Sequence, residues 1–210
     1  DKYTTFWNAF GGVLKEGIAE DAGNRERIAK LLRFASTHSD GAAATVSLDD
    51  YIGRMQVGQD VIWYITADSH AAAKGSPQIE ALRAKGVEVL LMSERIDEWM
   101  AGYLTEYAGK KLRHVGKGEM ELDAAAAEAH KASEEAASGV VARLKELLGE
   151  RVSDVKVSRR LTESPSCLVL DEYDMALHLR RVLKQSGHDM PDSAPVLEIN
   201  PAHALVKRLE

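Results

Sequence analysis

The sequence predicts an α/β protein: a helical segment, a small α-β-α unit with parallel strands, a connecting helix and then a second mixed α/β unit. Two continuous runs of β-prone apolar residues, 61–67 and 87–92, are typical of buried strands. Helical patterns separate and follow these runs, and this order predicts parallel strands joined by a right-handed crossover. An alanine-rich stretch at 122–138, which has little to bury, separates the two units.

The first 34 residues are predicted to be helical. Phe6, Trp7 and Phe10 are spaced so that we expect three aromatic side chains on one helix face. Gly11 and Gly12 then predict a break, because glycine weakens the interior of a helix.

Helix starts and breaks in the α-β-α unit are predicted from individual residues. Ser47, followed three residues later by Asp50, predicts a capping box at the start of a short helix. Residues 75–77, Gly-Ser-Pro, divide the helical segment between the two strands into two pieces. After the second strand, Ser93 or Asp97 is predicted to open a further helix.

The second unit is predicted to alternate between helices and strands. Its expected elements are an amphipathic helix ending at Gly149, strands at 154–160 and 167–170 joined as a hairpin, a helix from Asp171 or Asp174 to about Gln185, a strand at 196–199 and a helix beginning at Asn200–Pro201. The predicted boundaries assign 1–120 to the first unit, 121–138 to the connecting helix or linker and 139–210 to the second unit.

Composition excludes several classes of protein. The 33 acidic and 27 basic side chains give a formal net charge of -6, which disfavours nucleic-acid binding because phosphate is bound by basic patches. Charged residues are scattered throughout, so no apolar stretch of about 18 residues is present to span a membrane. The single cysteine, Cys167, excludes an intrachain disulfide and a cysteine-based zinc cage, and we expect a small buried hydrophobe there. No secretory signal is recognisable, so a reducing, cytoplasmic compartment is expected.

Motifs for catalysis or cofactor binding are largely absent from the sequence. No P-loop is present, and the seven histidines show none of the spacings that direct two imidazoles to one metal. One alternative stays open: Asp68, Ser69, Ser93 and Glu94 follow the two predicted parallel strands, at the sheet edge where ligands usually bind. They are either helix caps or the lining of a shallow nucleotide-binding or enzymatic site. We predict no catalytic residue, no metal ligand and no cofactor for this chain.

Two apolar features have two interpretations, core or binding surface. Met175, Leu179 and Val182 lie at i, i+4 and i+7 on one face of the predicted helix. Such a stripe is most often a core face, but a methionine-bearing amphipathic helix also suits an adaptable protein-binding surface. Trp99 has the same two interpretations, because an indole fills cores and anchors interfaces alike.

Seven segments, in collinear order over essentially the whole chain, carry a resemblance to a known family. They are FWNAFGGVLKEG at 6–17, IAKLLRFAST at 28–37, VSLDDYIGRM at 46–55, IWYITADS at 62–69, VEVLLMSERIDEWM at 87–100, LLGERVSDVKVSRRLTESP at 147–165 and LEINPAHALVKRL at 197–209. On these residues the chain resembles the heat-shock protein 90 chaperone family, in its bacterial high-temperature protein G type.

The resemblance implies an ATP-dependent, homodimeric molecular chaperone that binds unfolded or partly folded client proteins, assists their folding and works with co-chaperones. It places 1–120 in the second half of the middle domain, with 1–36 helical and 37–120 as a small α-β-α subdomain. It places 139–210 in the first part of the C-terminal domain, and coupling of the ATPase to the dimerisation domain is implied for the whole segment. The chain begins at Asp1 without a methionine, and we expect a fragment that lacks the site for ATP and Mg²⁺ and the dimerisation helices. We expect this fragment to be monomeric or weakly associating and not to be an enzyme, whereas the full-length parent is expected to be an ATPase.

The resemblance also implies client contacts at four residues. The family's middle-domain tryptophan matches Trp99, within RIDEWM. Its amphipathic C-terminal helix matches 171–185, and the apolar contacts of that helix match Met175, Leu179 and Val182. This sequence departs from the bacterial pattern there, with leucine and valine where methionine and leucine stand, although the apolar character is kept.

Overall fold

The computed structural model of the chain shows an α/β protein with two mixed sheets, which confirms the predicted fold class. The residues that the structure describes are 2–39, 41–120, 124–171, 174 and 193–209. They form two compact units: unit 1 comprises Asp1–Gly75 and Gly86–His114, and unit 2 comprises Ser76–Lys85 and Val115–Glu210. The domain boundaries given above stay a prediction.

The helices and strands are numbered in chain order. The helices are α1 (Lys2–Glu20), α2 (Arg25–Ala29), α3 (Leu48–Gly53), α4 (His70–Lys74), α5 (Glu80–Ala84), α6 (Arg95–Tyr103), α7 (Ala124–Ala136), α8 (Ser138–Leu148) and α9 (Ala204–Lys207). The strands are β1 (Ala35–Ser36), β2 (Val61–Thr66), β3 (Val89–Met92), β4 (Glu106–Tyr107), β5 (Lys110–His114), β6 (Asp154–Val157), β7 (Ser166–Val169) and β8 (Val196–Ile199).

Unit 1 contains a five-stranded sheet in the order β1-β3-β2-β5-β4. The central strand β2 runs parallel to both β3 and β5, whereas β1 and β4 pair antiparallel at the two edges. The parallel pairing of β2 with β3 confirms the predicted parallel strands. Strand β5 was not predicted, because in Lys-Lys-Leu-Arg-His only Leu112 is buried and the segment lacks the apolar run of its neighbour.

Helix α1 is continuous, so the break predicted at Gly11 and Gly12 is wrong. A Cβ atom on Gly11 would lie 2.9 Å from the indole of Trp7, one turn earlier, so this glycine permits close packing of the ring on the helix. The prediction that three aromatic side chains share one face is also wrong. Trp7 is buried in the core of unit 1, while Phe6 and Phe10 are exposed.

Several helix boundaries in the first part of the chain are set by local sequence signals. Ser47 Oγ accepts a hydrogen bond from the Asp50 N–H at 3.0 Å, and the Asp50 carboxylate accepts from the Ser47 N–H, which confirms the predicted capping box. The helical segment between β2 and β3 is divided into α4 and α5, as predicted from its Gly-Ser-Pro sequence.

Unit 2 contains a three-stranded sheet in the order β6-β8-β7. Strand β8 lies between the other two, parallel to β6 and antiparallel to β7, so the predicted hairpin of 154–160 with 167–170 is wrong. Helix α8 ends at Gly149 with a positive φ, as predicted. The predicted helix start at Asn200–Pro201 is wrong, because α9 begins at Ala204 and is capped by the His203 side chain.

Glu80, on α5, organises the loop between β6 and β7. Its carboxylate accepts hydrogen bonds from the backbone N–H groups of Thr162 and Glu163, each at 2.8 Å, and from the Ser164 N–H and hydroxyl. Burial acts to raise the pKa of Glu80, but these hydrogen bonds outweigh it and lower the pKa to about 2. The loop is therefore held by an ionised side chain from a segment that is distant in sequence.

Candidate functional site

Helix α6 begins directly after the fully buried strand β3 and presents the sequence-predicted residue Trp99. Its first residue follows Glu94, whose backbone N–H donates to Asp97 Oδ2 at 2.9 Å. The predicted cap at Ser93 is therefore displaced by one residue, and Asp97 acts from within the first turn. This arrangement satisfies one of the free N–H groups at the helix start.

The first turn of α6 is fastened by a buried lysine of α1. Lys15 is only 2% exposed, and its Nζ lies 2.6 Å from Asp97 Oδ1 and 3.2 Å from Glu94 Oε1. The ammonium also lies 5.7 Å and 5.6 Å from the ring centroids of Trp7 and Phe34. Burial raises the pKa of Asp97, and the charge of Lys15 opposes that rise. One cation thus joins α1 to α6 and fixes where α6 starts.

Trp99 and Tyr103 form an exposed aromatic pair on the outer face of α6. Their side chains are 52% and 41% exposed, and their ring centroids lie 5.2 Å apart. The opposite face of the helix supplies Met100, Ala101 and Leu104 to the core. The helix thus packs on the core through one apolar face and leaves the aromatic pair exposed on the other. Exposed aromatic side chains of this kind are typical of binding surfaces.

The residue preceding Trp99 is tied to the end of β2. Thr66 Oγ1 donates to Glu98 Oε1 at 2.9 Å and lies 3.0 Å from His114 Nε2. The backbone N–H of Thr66 donates to the same His114 nitrogen at 3.2 Å. Sequence reasoning missed this cluster, because its three members lie on β2, α6 and β5, which are far apart in the sequence and meet only in the tertiary fold.

Two of the four residues at the alternative site on the edge of β2 and β3, Ser69 and Glu94, are helix caps. Ser69 Oγ accepts from the Ala72 N–H at 3.2 Å and so caps α4. Glu94 belongs to the Lys15 ion pair, and Asp68 and Ser93 are exposed. These contacts favour the capping interpretation, and a nucleotide-binding or enzymatic site at this edge stays a prediction that calorimetric titration with ATP and NAD would test.

Met175, Leu179 and Val182, the other predicted client contacts, lie outside the described residues. Their role stays a prediction. The structure does reveal an exposed apolar stripe that the sequence interpretation missed, formed on α1 by Phe6, Phe10 and Val13. These three residues are four and three positions apart, a spacing that places them on one helix face and leaves Trp7 on another.

Unit 2 contains a second buried cation, Arg160, in the loop between β6 and β7. Its guanidinium donates to the Val115 carbonyl at 2.9 Å, to the Gly118 carbonyl and to the Glu198 carboxylate. Glu198 also accepts a hydrogen bond from the Ser158 hydroxyl at 2.6 Å. A cavity of about 530 Å³ in this unit is lined by groups of both signs, including Lys156, Arg159, Glu119, Glu134 and Glu198.

Other chemistries have little support in the part of the chain that the structure describes. Within it, no three His, Cys, Asp or Glu side chains are grouped so that they could hold a metal ion. Cys167 is buried, and burial raises the pKa of its thiol to about 12, which suits the predicted small hydrophobe. Among the described helices, none has both the length and the apolar character needed to cross a bilayer.

Comparison with known proteins gives a consistent result over the whole chain. The family model described as Hsp90 protein matches residues 1–210. The chaperone protein HtpG of Cupriavidus metallidurans is 56% identical over 212 residues, which cover 99% of this chain and 34% of that protein. The HtpG chaperones of Chromobacterium violaceum and Burkholderia lata are each 55% identical over 213 residues, covering 100% of this chain and 34% of theirs. The chain spans about a third of the length of the curated relatives it matches.

Proposed function

The chain belongs to the Hsp90 protein family, and on that premise we propose that it supplies a client-binding surface of a molecular chaperone. The clients are unfolded or partly folded proteins, and α6 presents the surface that binds them. The exposure of Trp99 is the observation that carries this proposal, since a half-exposed indole beside an exposed tyrosine is typical of an interface anchor. Met175, Leu179 and Val182 are proposed as a second group of contacts in the same function.

Unfolded clients expose apolar side chains and lack fixed shape, so a surface that binds many of them needs rigid aromatic area rather than a shaped pocket. The pair on α6 meets this need, because two rings with centroids 5.2 Å apart offer one continuous aromatic surface. The helix beneath it is held by Lys15 through Asp97 and by Thr66 through Glu98. In the longer protein, we propose, this segment also couples an ATPase to a dimerisation domain, and that protein is a cytoplasmic homodimer.

The proposal is tested by measuring how the chain binds a permanently unfolded protein, reduced and carboxymethylated α-lactalbumin carrying a fluorophore. Trp99→Ala should weaken the affinity by about tenfold, the size typical of a lost aromatic anchor. Combined with Met175→Ala it should weaken the affinity further. The thermal midpoint should stay nearly unchanged, because half of the indole surface is already in water.

Phe10→Ala is the matched control, since Phe10 is 53% exposed and also lies on a helix of unit 1. We expect it to leave the affinity as it is. Equal weakening by both substitutions would show that any exposed aromatic residue binds the client and would contradict a specific role for Trp99. A large fall in the thermal midpoint of Trp99→Ala would restore the interpretation of Trp99 as a core residue.

A further inference from the structure

His114, the last residue of β5, completes the hydrogen bonding of β2 with its side chain. In the register of the two strands, Tyr64 is opposite His114, and β5 offers no residue opposite Thr66. The Thr66 N–H, which would otherwise donate to a neighbouring strand, donates to His114 Nε2 at 3.2 Å. Acceptance of this hydrogen bond requires an Nε2 without a proton, whereas the contact of Nε2 with Thr66 Oγ1 at 3.0 Å is satisfied by an Nε2 that carries one.

The same nitrogen is the start of a chain of contacts to α6. His114 Nε2 lies 3.0 Å from Thr66 Oγ1, and the Thr66 hydroxyl donates to Glu98 Oε1 at 2.9 Å. The second oxygen of this carboxylate, Glu98 Oε2, is buried and accepts no hydrogen bond from any residue that the structure describes. The carboxylate of Glu98, the residue before Trp99, is therefore only partly hydrogen-bonded, and the Thr66 hydroxyl links it to His114.

We propose that His114, Thr66 and Glu98 are positioning residues for Trp99, and that a proton on His114 changes how firmly they hold α6. In the neutral state, the Thr66 N–H donates to Nε2. When Nε2 takes a proton from solvent, the ring donates a hydrogen bond to Thr66 Oγ1, whose own hydrogen is still donated to Glu98 Oε1. The imidazolium and the carboxylate are then joined through one hydroxyl, and the attraction of the two charges holds α6 more firmly than the Thr66 N–H bond that is lost.

Tyr64, Glu98 and Arg113 lie around this network. Tyr64, on β2, contacts the ring edge-on with centroids 5.3 Å apart, and burial raises the pKa of Tyr64 to about 12, so it stays neutral. Glu98 faces the network from α6 through Thr66. Arg113, the preceding residue of β5, has its guanidinium 5.7 Å from the Trp63 ring centroid. The proposal therefore assigns the pH dependence to the charge of His114.

The inference predicts coupled titrations in ¹H–¹⁵N spectra of the chain recorded from pH 8 to pH 5. The Thr66 amide, the Glu98 amide and the Trp99 indole N–H should shift with the midpoint of the His114 imidazole. Thr66→Val keeps the side-chain shape but removes the hydroxyl, so the Glu98 and Trp99 signals should no longer follow His114. Thr66→Ser should restore the coupling, and His114→Gln, whose amide oxygen still accepts, should abolish the pH dependence.

A Trp99 signal with a different midpoint from His114, or one that still follows it in Thr66→Val, would overturn the inference. The role in client binding rests on the proposed function and is measured separately. The affinity for unfolded α-lactalbumin at pH 6 relative to pH 8 should be about two- to threefold higher for the unchanged chain than for Thr66→Val, because a firmly held α6 is pre-organised. Equal ratios would remove the positioning role, whereas an unchanged affinity in Trp99→Ala would contradict the proposed function and leave the coupled titration intact.

Discussion

Among the residues that the structure describes, one buried cation lies in each unit, and the two cations are held by different chemistry. In unit 1, Lys15 contacts the carboxylates of Asp97 and Glu94 and the faces of two aromatic rings. In unit 2, Arg160 contacts one carboxylate, that of Glu198, and two backbone carbonyls. An ammonium is a compact charge that suits a cluster of anions, whereas a guanidinium divides its donors among several partners in fixed directions.

Lys15 and Arg160 hold different kinds of structure in place. Lys15 lies on one regular helix and fastens the first turn of another, so its partners are side chains that project from helices. Arg160 lies in a loop and donates to two carbonyls of a second segment, 115–118, which also pairs through its backbone with Leu170. The lysine therefore positions a helix, while the arginine joins two segments that lie between regular elements.

The largest effect is expected from Arg160→Met. The substitution leaves the Glu198 carboxylate buried without its cation and removes donors from two carbonyls. Removal of one partner from a buried ion pair costs about 3–5 kcal/mol of unfolding free energy. Urea unfolding followed by circular dichroism measures the loss, and hydrogen exchange should rise in peptides covering 115–118 and 154–170.

Glu198→Gln is the matched test of this explanation. In the double variant Arg160→Met with Glu198→Gln, the buried carboxylate becomes a neutral amide, so part of the lost stability should return. Equal stability of the single and double variants would show that the uncompensated charge is not the cause. Arg160→Lys keeps the charge but cannot reach all three partners, and its stability should fall between those of Met and Arg.

A smaller and pH-dependent effect is expected from Lys15→Met. Asp97 loses its cationic partner in this variant. Because burial raises the pKa of Asp97, the carboxylate can be neutralised by a proton instead of by the lysine. The methionine side chain can also pack against Trp7 and Phe34, which the ammonium now faces. We expect a loss of about 2–3 kcal/mol near pH 7, measured by urea unfolding with tryptophan fluorescence.

The sign of the pH dependence follows from the raised pKa of Asp97. The folded variant binds a proton at Asp97 more readily than the unfolded chain, whose value is near 3.8, so its stability rises as the pH falls. The gap between Lys15→Met and the unchanged chain should therefore narrow from pH 7 towards pH 4. Adding Asp97→Asn should remove this dependence, and a gap that stays constant with pH would contradict an ionised Asp97 as its source.

The two cations also show how far the sequence could predict this molecule. Strands β2 and β3 and the capping box of Ser47 and Asp50 were predictable because their signals are local apolar runs and three-residue spacings. The partnership of Lys15 with Asp97 joins residues far apart in sequence, and no periodicity marks it. Trp99 was identified as a contact only through resemblance, since exposure of an indole depends on which helix face the tertiary fold covers.

The smallest effect is expected from Glu94→Gln, the outer partner of Lys15. Its side chain is 52% exposed and lies 3.2 Å from the ammonium, so water already screens most of the attraction. We expect a loss below about 0.5 kcal/mol in urea unfolding. The charge of Glu94 helps to raise the pKa of Asp97, so the Asp97 carboxyl, followed by ¹³C spectra, should titrate at a lower pH in this variant. A loss of unfolding free energy as large as that of Lys15→Met would mean that Glu94 and Asp97 hold the lysine equally. The burial of Asp97 would then no longer explain why the pair of Lys15 and Asp97 fixes the start of α6.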